Sequence, residues 1–230
     1  MRIGAPTGLY VEPLIHGLAD GAGVTLERAM PRDLLARLRL GTLDVALLPP
    51  TDALRLERGR AIPGLGLVFS GSAETELLLA RVELSRIERL AVNEESGGGS
   101  DWSRVILAEW FGARPASAGI SDADARVVAG RFVEEPNSAF PARYDLGTLW
   151  HERTGLPFVA MLWVARFGAP LPEIRHTLNR ALQCGLATET DVSRSVAYRV
   201  GSAAMDGMRL FVSMAARHGF VEEDGEVRFC

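Results

Sequence analysis

The stretch Phe158 to Ala165 is a nearly continuous apolar run. A strand exposed to water on one face alternates apolar with polar residues, so a run of this kind belongs inside a sheet covered on both faces. The covering layers have to be helices, and the first fifty residues supply them. Arg2 to Tyr10 starts apolar and meets Pro6, Thr7 and Gly8, which mark a strand running into a loop. A helix is expected from Pro13. Pro31 opens a second one in which Leu34, Leu35 and Leu38 share a face while Arg32, Arg37 and Arg39 point away, and Gly41 stops it. Asp44 to Leu48 reads as a buried strand ended by Pro49-Pro50-Thr51. Strand, helix, helix, strand favours parallel pairing.

The pattern recurs. Leu77 to Val82, Arg89 to Asn93 and Arg126 to Ala129 read as strands, and Asp101 to Phe111 as a helix with Trp102, Val105, Ile106 and Trp110 on one stripe. After Phe158 to Ala165 only helices and a short tail are expected. Ile174, Leu178, Ala181 and Leu182 form one helical face, and Met208, Phe211, Val212 and Ala215 another that Gly219 ends. Two α/β units, the second inserted between an N-terminal unit and a helical return, imply two lobes with a central cleft. Ligands of open α/β sheets bind beyond the carboxyl ends of the strands. The loops Pro6 to Tyr10, Pro49 to Thr51, Ser70 to Thr75 and Ser96 to Ser100 are therefore the candidate site, and they carry Thr7, Gly8, Thr51, Ser70 and Gly71 as candidate substrate contacts.

Composition narrows the class. A chain of 230 residues, 47% hydrophobic and 23% charged, can bury one large core or two modest ones. Charged residues break every apolar run before the roughly 18 to 20 residues of a membrane helix. The sequence starts without a charged leader, apolar core or cleavage site, so a cytoplasmic location is expected. Cys184 and Cys230 are too few for a disulfide framework and lack zinc-site spacing. With 25 basic against 29 acidic residues and no basic cluster, nucleic acid is not an expected partner. Oligomeric state is left open.

Among local motifs, Ser96-Gly97-Gly98-Gly99-Ser100-Asp101 follows a strand and opens a helix. Its backbone N–H groups could cradle an anion or form a plain flexible loop, and Asp101 could cap the helix, its charge opposing an anion. His16, His151, His176 and His218 have no metal-ligand spacing, so no metal is expected. No serine sits in a hydrolase elbow. The pairs Glu94-Glu95, Glu134-Glu135 and Glu222-Glu223 are adjacent and point apart, so spacing names no acid–base dyad.

One long stretch is more specific. Tyr144-Asp145-Leu146-Gly147-Thr148-Leu149-Trp150-His151-Glu152-Arg153-Thr154-Gly155-Leu156-Pro157-Phe158-Val159, followed by Leu162-Trp163-Val164-Ala165-Arg166, resembles the signature of the chorismate dehydratase family of menaquinone biosynthesis. Arg2-Ile3-Gly4, Leu38 to Leu47, Ile62-Pro63-Gly64-Leu65 and Tyr198-Arg199-Val200-Gly201 extend the resemblance over essentially the whole chain. It implies a type II periplasmic-binding-protein-like α/β fold, with residues 1 to 75 plus 165 to 230 in one lobe and 76 to 164 in the other. The implied reaction is dehydration of the dicarboxylate chorismate to 3-enolpyruvoyl-benzoate, without a cofactor and with the substrate's own enolpyruvyl carboxylate taking the proton.

The resemblance also implies site residues. Tyr10 stands where the family has a functional Asn, and Thr75 where it has Ser; these two are the candidate catalytic residues. Ser96 keeps a serine of a family loop whose remainder is replaced by Gly97, Gly98 and Gly99, with Ser100 after them; Arg131 replaces an Asp. These residues are the further candidate substrate contacts. Because the changes fall in the cleft loops, a second reading stands beside the first: a relative that binds a small carboxylate without dehydrating it. Trp150 and Trp163 are assigned to packing.

Overall fold

The computed structural model describes residues 1–18, 21, 23–74, 76–92, 98–129, 139–188, 195–222 and 227–230. Its chain runs β1 (Arg2–Ala5), α1 (Glu12–Ile15), β2 (Thr25–Arg28), α2 (Pro31–Arg39), β3 (Val45–Leu48), α3 (Pro50–Leu54), β4 (Arg60–Phe69), β5 (Glu76–Ala80), β6 (Arg89–Val92) and α4 (Gly98–Phe111). It continues through β7 (Ala116–Ser117), β8 (Ala125–Ala129), β9 (Ala142–Asp145), α5 (Leu146–Thr154), β10 (Phe158–Ala165), α6 (Leu171–Thr188), β11 (Val196–Ala197) and α7 (Ser202–Arg217).

These strands form a sheet of order β11-β4-β10-β3-β1-β2 and a second of order β7-β6-β8-β5-β9. The apolar run β10 lies inside the first, antiparallel to both β3 and β4. Leu162, Trp163, Val164 and Ala165 there are no more than 1% exposed, which is the two-faced burial its composition requires. One face of that sheet packs on α2, whose Leu34, Leu35 and Leu38 meet Ala46, Leu48 and Val164. The other meets α1 and α6 and continues, through Phe69, Trp102 and Phe158, into the second sheet. Gly41 ends α2 at φ +70°, a conformation a side chain would disfavour.

Parallel pairing holds for β1 with β2 and β3, but both sheets are mixed. The helix expected from Pro13 is a single turn, Glu12–Ile15. The stretch after β10 is not all helical: β11 pairs antiparallel with β4, and Phe229 bridges Ala61. These are edge pairings of two residues or fewer, too short to leave a periodic trace. The longest strand, β4, is disguised by Pro63 and Gly64. Its ladder to β10 jumps from Ala61↔Val164 to Gly66↔Leu162, so Pro63 falls in a bulge where no ladder N–H is needed.

Candidate functional site

The carboxyl ends of β1 and β3 lead into Tyr10 and Thr51, and both side chains reach across to the part of the chain that holds the second sheet. Tyr10 is buried and its hydroxyl donates to Glu74 Oε2 at 3.0 Å. Thr51, in the first turn of α3, is 1% exposed and donates to Asp101 Oδ2 at 2.6 Å. Asp101 sits in the first turn of α4 and is also 3.5 Å from Arg55 Nη1. Its carboxylate is therefore tied to α3 and its flank, a role that spacing alone did not suggest.

An aromatic stack continues the junction. Phe69 lies parallel to Trp102 with ring centroids 6.2 Å apart, and Trp102 lies parallel to Phe158 at 3.6 Å. Phe158 then meets Phe211 edge-on at 5.1 Å. At the far side Glu109 of α4 accepts from Arg217 Nη1 at 2.6 Å and pairs with His218 Nε2 at 2.7 Å. Arg114 donates to His218 Nδ1 at 3.0 Å, so that nitrogen carries no proton and Nε2–H faces Glu109.

Beneath Thr51 the stack encloses a cavity of ≈ 20 Å³ lined also by Glu76, Met161 and Phe211. That is room for about one water, far below the roughly 300–1,000 Å³ of a small-molecule site. Glu76 heads β5, and its Oε2 is buried with no hydrogen-bond partner among the described residues. Burial, reinforced by the charge of Asp145, pushes the Glu76 carboxyl up to about 8, so it is mostly protonated at neutral pH. The indole N–H of Trp102 is likewise buried and unpartnered among the described residues. Trp150 and Trp163 share that property, but neither lines the cavity; they are 1% and 0% exposed packing residues.

The signature Tyr144 to Gly147 has a structural explanation. Asp145 caps α5 by accepting from Thr148 N–H at 2.8 Å, and accepts also from Ala73 N–H, Glu74 N–H and the Ser72 hydroxyl at 2.9, 2.8 and 2.7 Å. A Cβ on Gly147 would lie 2.3 Å from the Gly71 carbonyl oxygen and 2.6 Å from Ala73 N. Carboxylate and glycine together hold the loop between β4 and β5, which presents Glu74 to Tyr10.

The remaining candidates are dispersed. Thr7 is exposed, and the Gly8 carbonyl accepts from Val11 N–H at 3.1 Å. Ser70 is exposed, its N–H donating to the Ser195 carbonyl at 2.7 Å, and Gly71 has φ +109°. Gly98 and Gly99 form the opening backbone of α4, and the Ser100 carbonyl accepts from the Ser103 hydroxyl at 2.9 Å. Thr75, Ser96, Gly97 and Arg131 lie outside the described residues. Sequence reasoning missed Glu76 and Glu74; the available signal was a single carboxylate at the head of the apolar strand Leu77 to Ala80. Among the described residues no His, Cys, Asp and Glu cluster could hold a metal, and no helix is long and apolar enough to cross a membrane.

Two mixed sheets meeting at a junction define a periplasmic-binding-protein-like fold, and solved structures agree. The crystal structure of a protein from Archaeoglobus fulgidus matches with TM-score 0.67 at 14% identity, covering 96% of this chain and 98% of its own. The periplasmic aliphatic sulphonate binding protein of Escherichia coli matches with TM-score 0.58 at 10% identity, covering 99% and 95%. The family is narrower than the fold. Residues 1–218 match the model of a family described as menaquinone biosynthesis, and the chain belongs to that family. A chorismate dehydratase from Thermus thermophilus is 29% identical over 86% of this chain and 82% of its own.

Proposed function

We propose that this protein is a chorismate dehydratase, a lyase that removes water from chorismate to give 3-enolpyruvoyl-benzoate. The observation that carries the reading is the match to a chorismate dehydratase along 86% of the chain. Chemistry and site agree with it. Loss of the C3 proton and the C4 hydroxyl aromatises the ring, so the protein's task is to hold a dianion in a reactive pose away from water, and a junction walled by Trp102, Phe158 and Phe211 suits that task. The substrate's own enolpyruvyl carboxylate takes the C3 proton in this reading, and neither metal nor cofactor takes part.

The cavity holds only about one water, so chorismate enters after the two sheets separate and the junction closes over it, as hinge-bending binding proteins close on their ligands. In this reading the two lobes are residues 1–75 with 165–230 and residues 76–164, except that β10 lies between β3 and β4 and so moves with the first lobe. In this reading Tyr10 and Thr75 act in the catalysis, and Thr7, Gly8, Thr51, Ser70, Gly71, Ser96, Gly97, Gly98, Gly99, Ser100 and Arg131 contact the substrate. The enzyme works in the cytoplasm.

A second reading has one observation in its favour: the Tyr10 hydroxyl, at the family's Asn position, is already engaged by Glu74. On that reading the cleft binds a small carboxylate without turning it over. Purified protein incubated with chorismate, without added metal and followed by chromatography with mass detection, separates the two. Formation of 3-enolpyruvoyl-benzoate supports the dehydratase; chorismate left intact by folded protein that binds it supports the second reading.

A further inference from the structure

Hydroxide is a poor leaving group, and the departing C4 oxygen needs a proton as its bond breaks. The residues lining the cavity come from β4, β5, β10, α3, α4, α7 and Pro49, and among them Glu76 alone is titratable. Leu67, Phe158, Ala160, Met161 and Phe211 give apolar walls, while Thr51 and Trp102 add neutral polar groups. Among the described residues, Asp145 at the junction of β9 and α5 is the charged neighbour of Glu76. No cation lines the cavity to hold Glu76 as a carboxylate, and Oε2 is left without a partner among the described residues. Such an atom in an apolar pocket lacks its hydrogen bond until a ligand or water supplies one.

We propose that Glu76 is the acid of the dehydration, giving its proton to the C4 hydroxyl of the bound substrate as that group departs. The assignment rests on the dehydratase reading. The electron pair of the C3–H bond becomes the new ring double bond, and the C4–O pair leaves on oxygen, which takes the Glu76 proton to form water. The C3 proton passes to the enolpyruvyl carboxylate and then to solvent, and Glu76 is reprotonated from solvent once the product has gone. No electrons are gained or lost overall. A carboxyl that is mostly protonated at neutral pH suits the role.

The test is turnover of chorismate by wild-type protein, Glu76→Gln and Glu76→Asp between pH 5.5 and 9, with an infrared difference spectrum of wild type against Glu76→Gln. Glu76→Gln is expected to lower kcat on the order of 10²-fold or more, the usual contribution of a general acid, with a much smaller change in KM. Wild-type kcat should fall as pH rises through about 8, and the residual rate of Glu76→Gln should lack that limb. Glu76→Asp, which keeps an acid, should recover part of the rate. The infrared difference should carry a protonated-carboxyl band that titrates on the same limb. Active wild type with an equally active Glu76→Gln, or with an unchanged limb in that variant, overturns the assignment and leaves the dehydratase intact. A wild type that makes no product removes the dehydratase reading and the assignment with it. Should Glu76→Gln fail to fold, wild-type turnover with no limb near pH 8, or Glu76→Asp whose limb does not move from that of wild type, overturns the assignment.

Discussion

The Thr51 hydroxyl donates to the Asp101 carboxylate at 2.6 Å, joining the first turn of α3 to the first turn of α4. Thr51 opens the helix that joins two strands of the first sheet, β3 and β4, and Asp101 lies in the helix that joins two strands of the second, β6 and β7, so the bond crosses the junction between the sheets. Thr51→Val keeps the shape and removes the donor. A hydrogen bond to a charged group contributes about 1.5–3 kcal/mol, so the variant should unfold at lower urea with a loss in that range. An unchanged urea midpoint would show that Arg55, 3.5 Å from Asp101, holds the carboxylate by itself.

Asp145 receives three backbone N–H groups and a hydroxyl. Asp145→Ala leaves those donors to water and should cost about 2–4 kcal/mol, a lost helix cap plus lost charge-assisted bonds. Hydrogen exchange should quicken first at the amides of Ala73, Glu74 and Thr148. Exchange unchanged at those amides would contradict the pinning role.

Gly147→Ala places a methyl 2.3 Å from the Gly71 carbonyl oxygen, and backbone on that side has to shift. Overpacking of this kind costs about 1–3 kcal/mol. Because the same loop presents Glu74, the variant should also loosen the Tyr10 contact, readable as a change in tyrosine fluorescence.

The raised Glu76 carboxyl has a signed effect on stability. The folded protein keeps its proton up to about pH 8, whereas an unfolded glutamate releases it near pH 4.3, so between those values the native state binds more protons. Stability contributed by this residue therefore falls as pH rises from about 4 to about 8. Glu76→Gln should flatten that slope and exceed wild type in urea midpoint at pH 8, while differing little at pH 4. Parallel midpoint-against-pH curves would contradict it.

Asp44 behaves in the opposite sense. Burial alone would raise its carboxyl, but the Arg2 N–H at 2.8 Å and the Arg166 guanidinium at 2.7 Å outweigh burial and hold it below the usual carboxylate range. Its contribution is complete above about pH 4 and lost as pH falls through the lower folded value. Asp44→Asn should destabilise the protein at pH 7 and converge with wild type in strong acid, as followed by circular dichroism.

Much of this architecture could be read from side-chain periodicity. Leu34, Leu35 and Leu38 on one stripe, and the unbroken apolar run of β10, identify elements whose burial is decided by their own composition. The strand β4 could not be read because Pro63 and Gly64 look like a breaker until the bulge opposite β10 is seen. The strands β2, β7 and β11 are edges of two to four residues whose pairing depends on partners far along the chain. In the site, Thr51 was legible as a loop beyond a strand end. Glu76 was not, because a lone glutamate before Leu77 reads as solvated; the cavity it lines is shared with Thr51, Trp102 and Phe158, brought there by three separate elements.

The position of β10 between β3 and β4 orders the birth of the molecule. Residues 45–69 leave the ribosome long before residues 158–165, so β3 and β4 wait with bare flanks while the whole second sheet is made. Such flanks invite pairing with other chains, and late closure makes folding slow. A chain stopped before Phe158 should pair with other copies through β3 and β4, and adding residues 158–165 should abolish that strand pairing: the inserted strand works as a zip fastener for the first sheet.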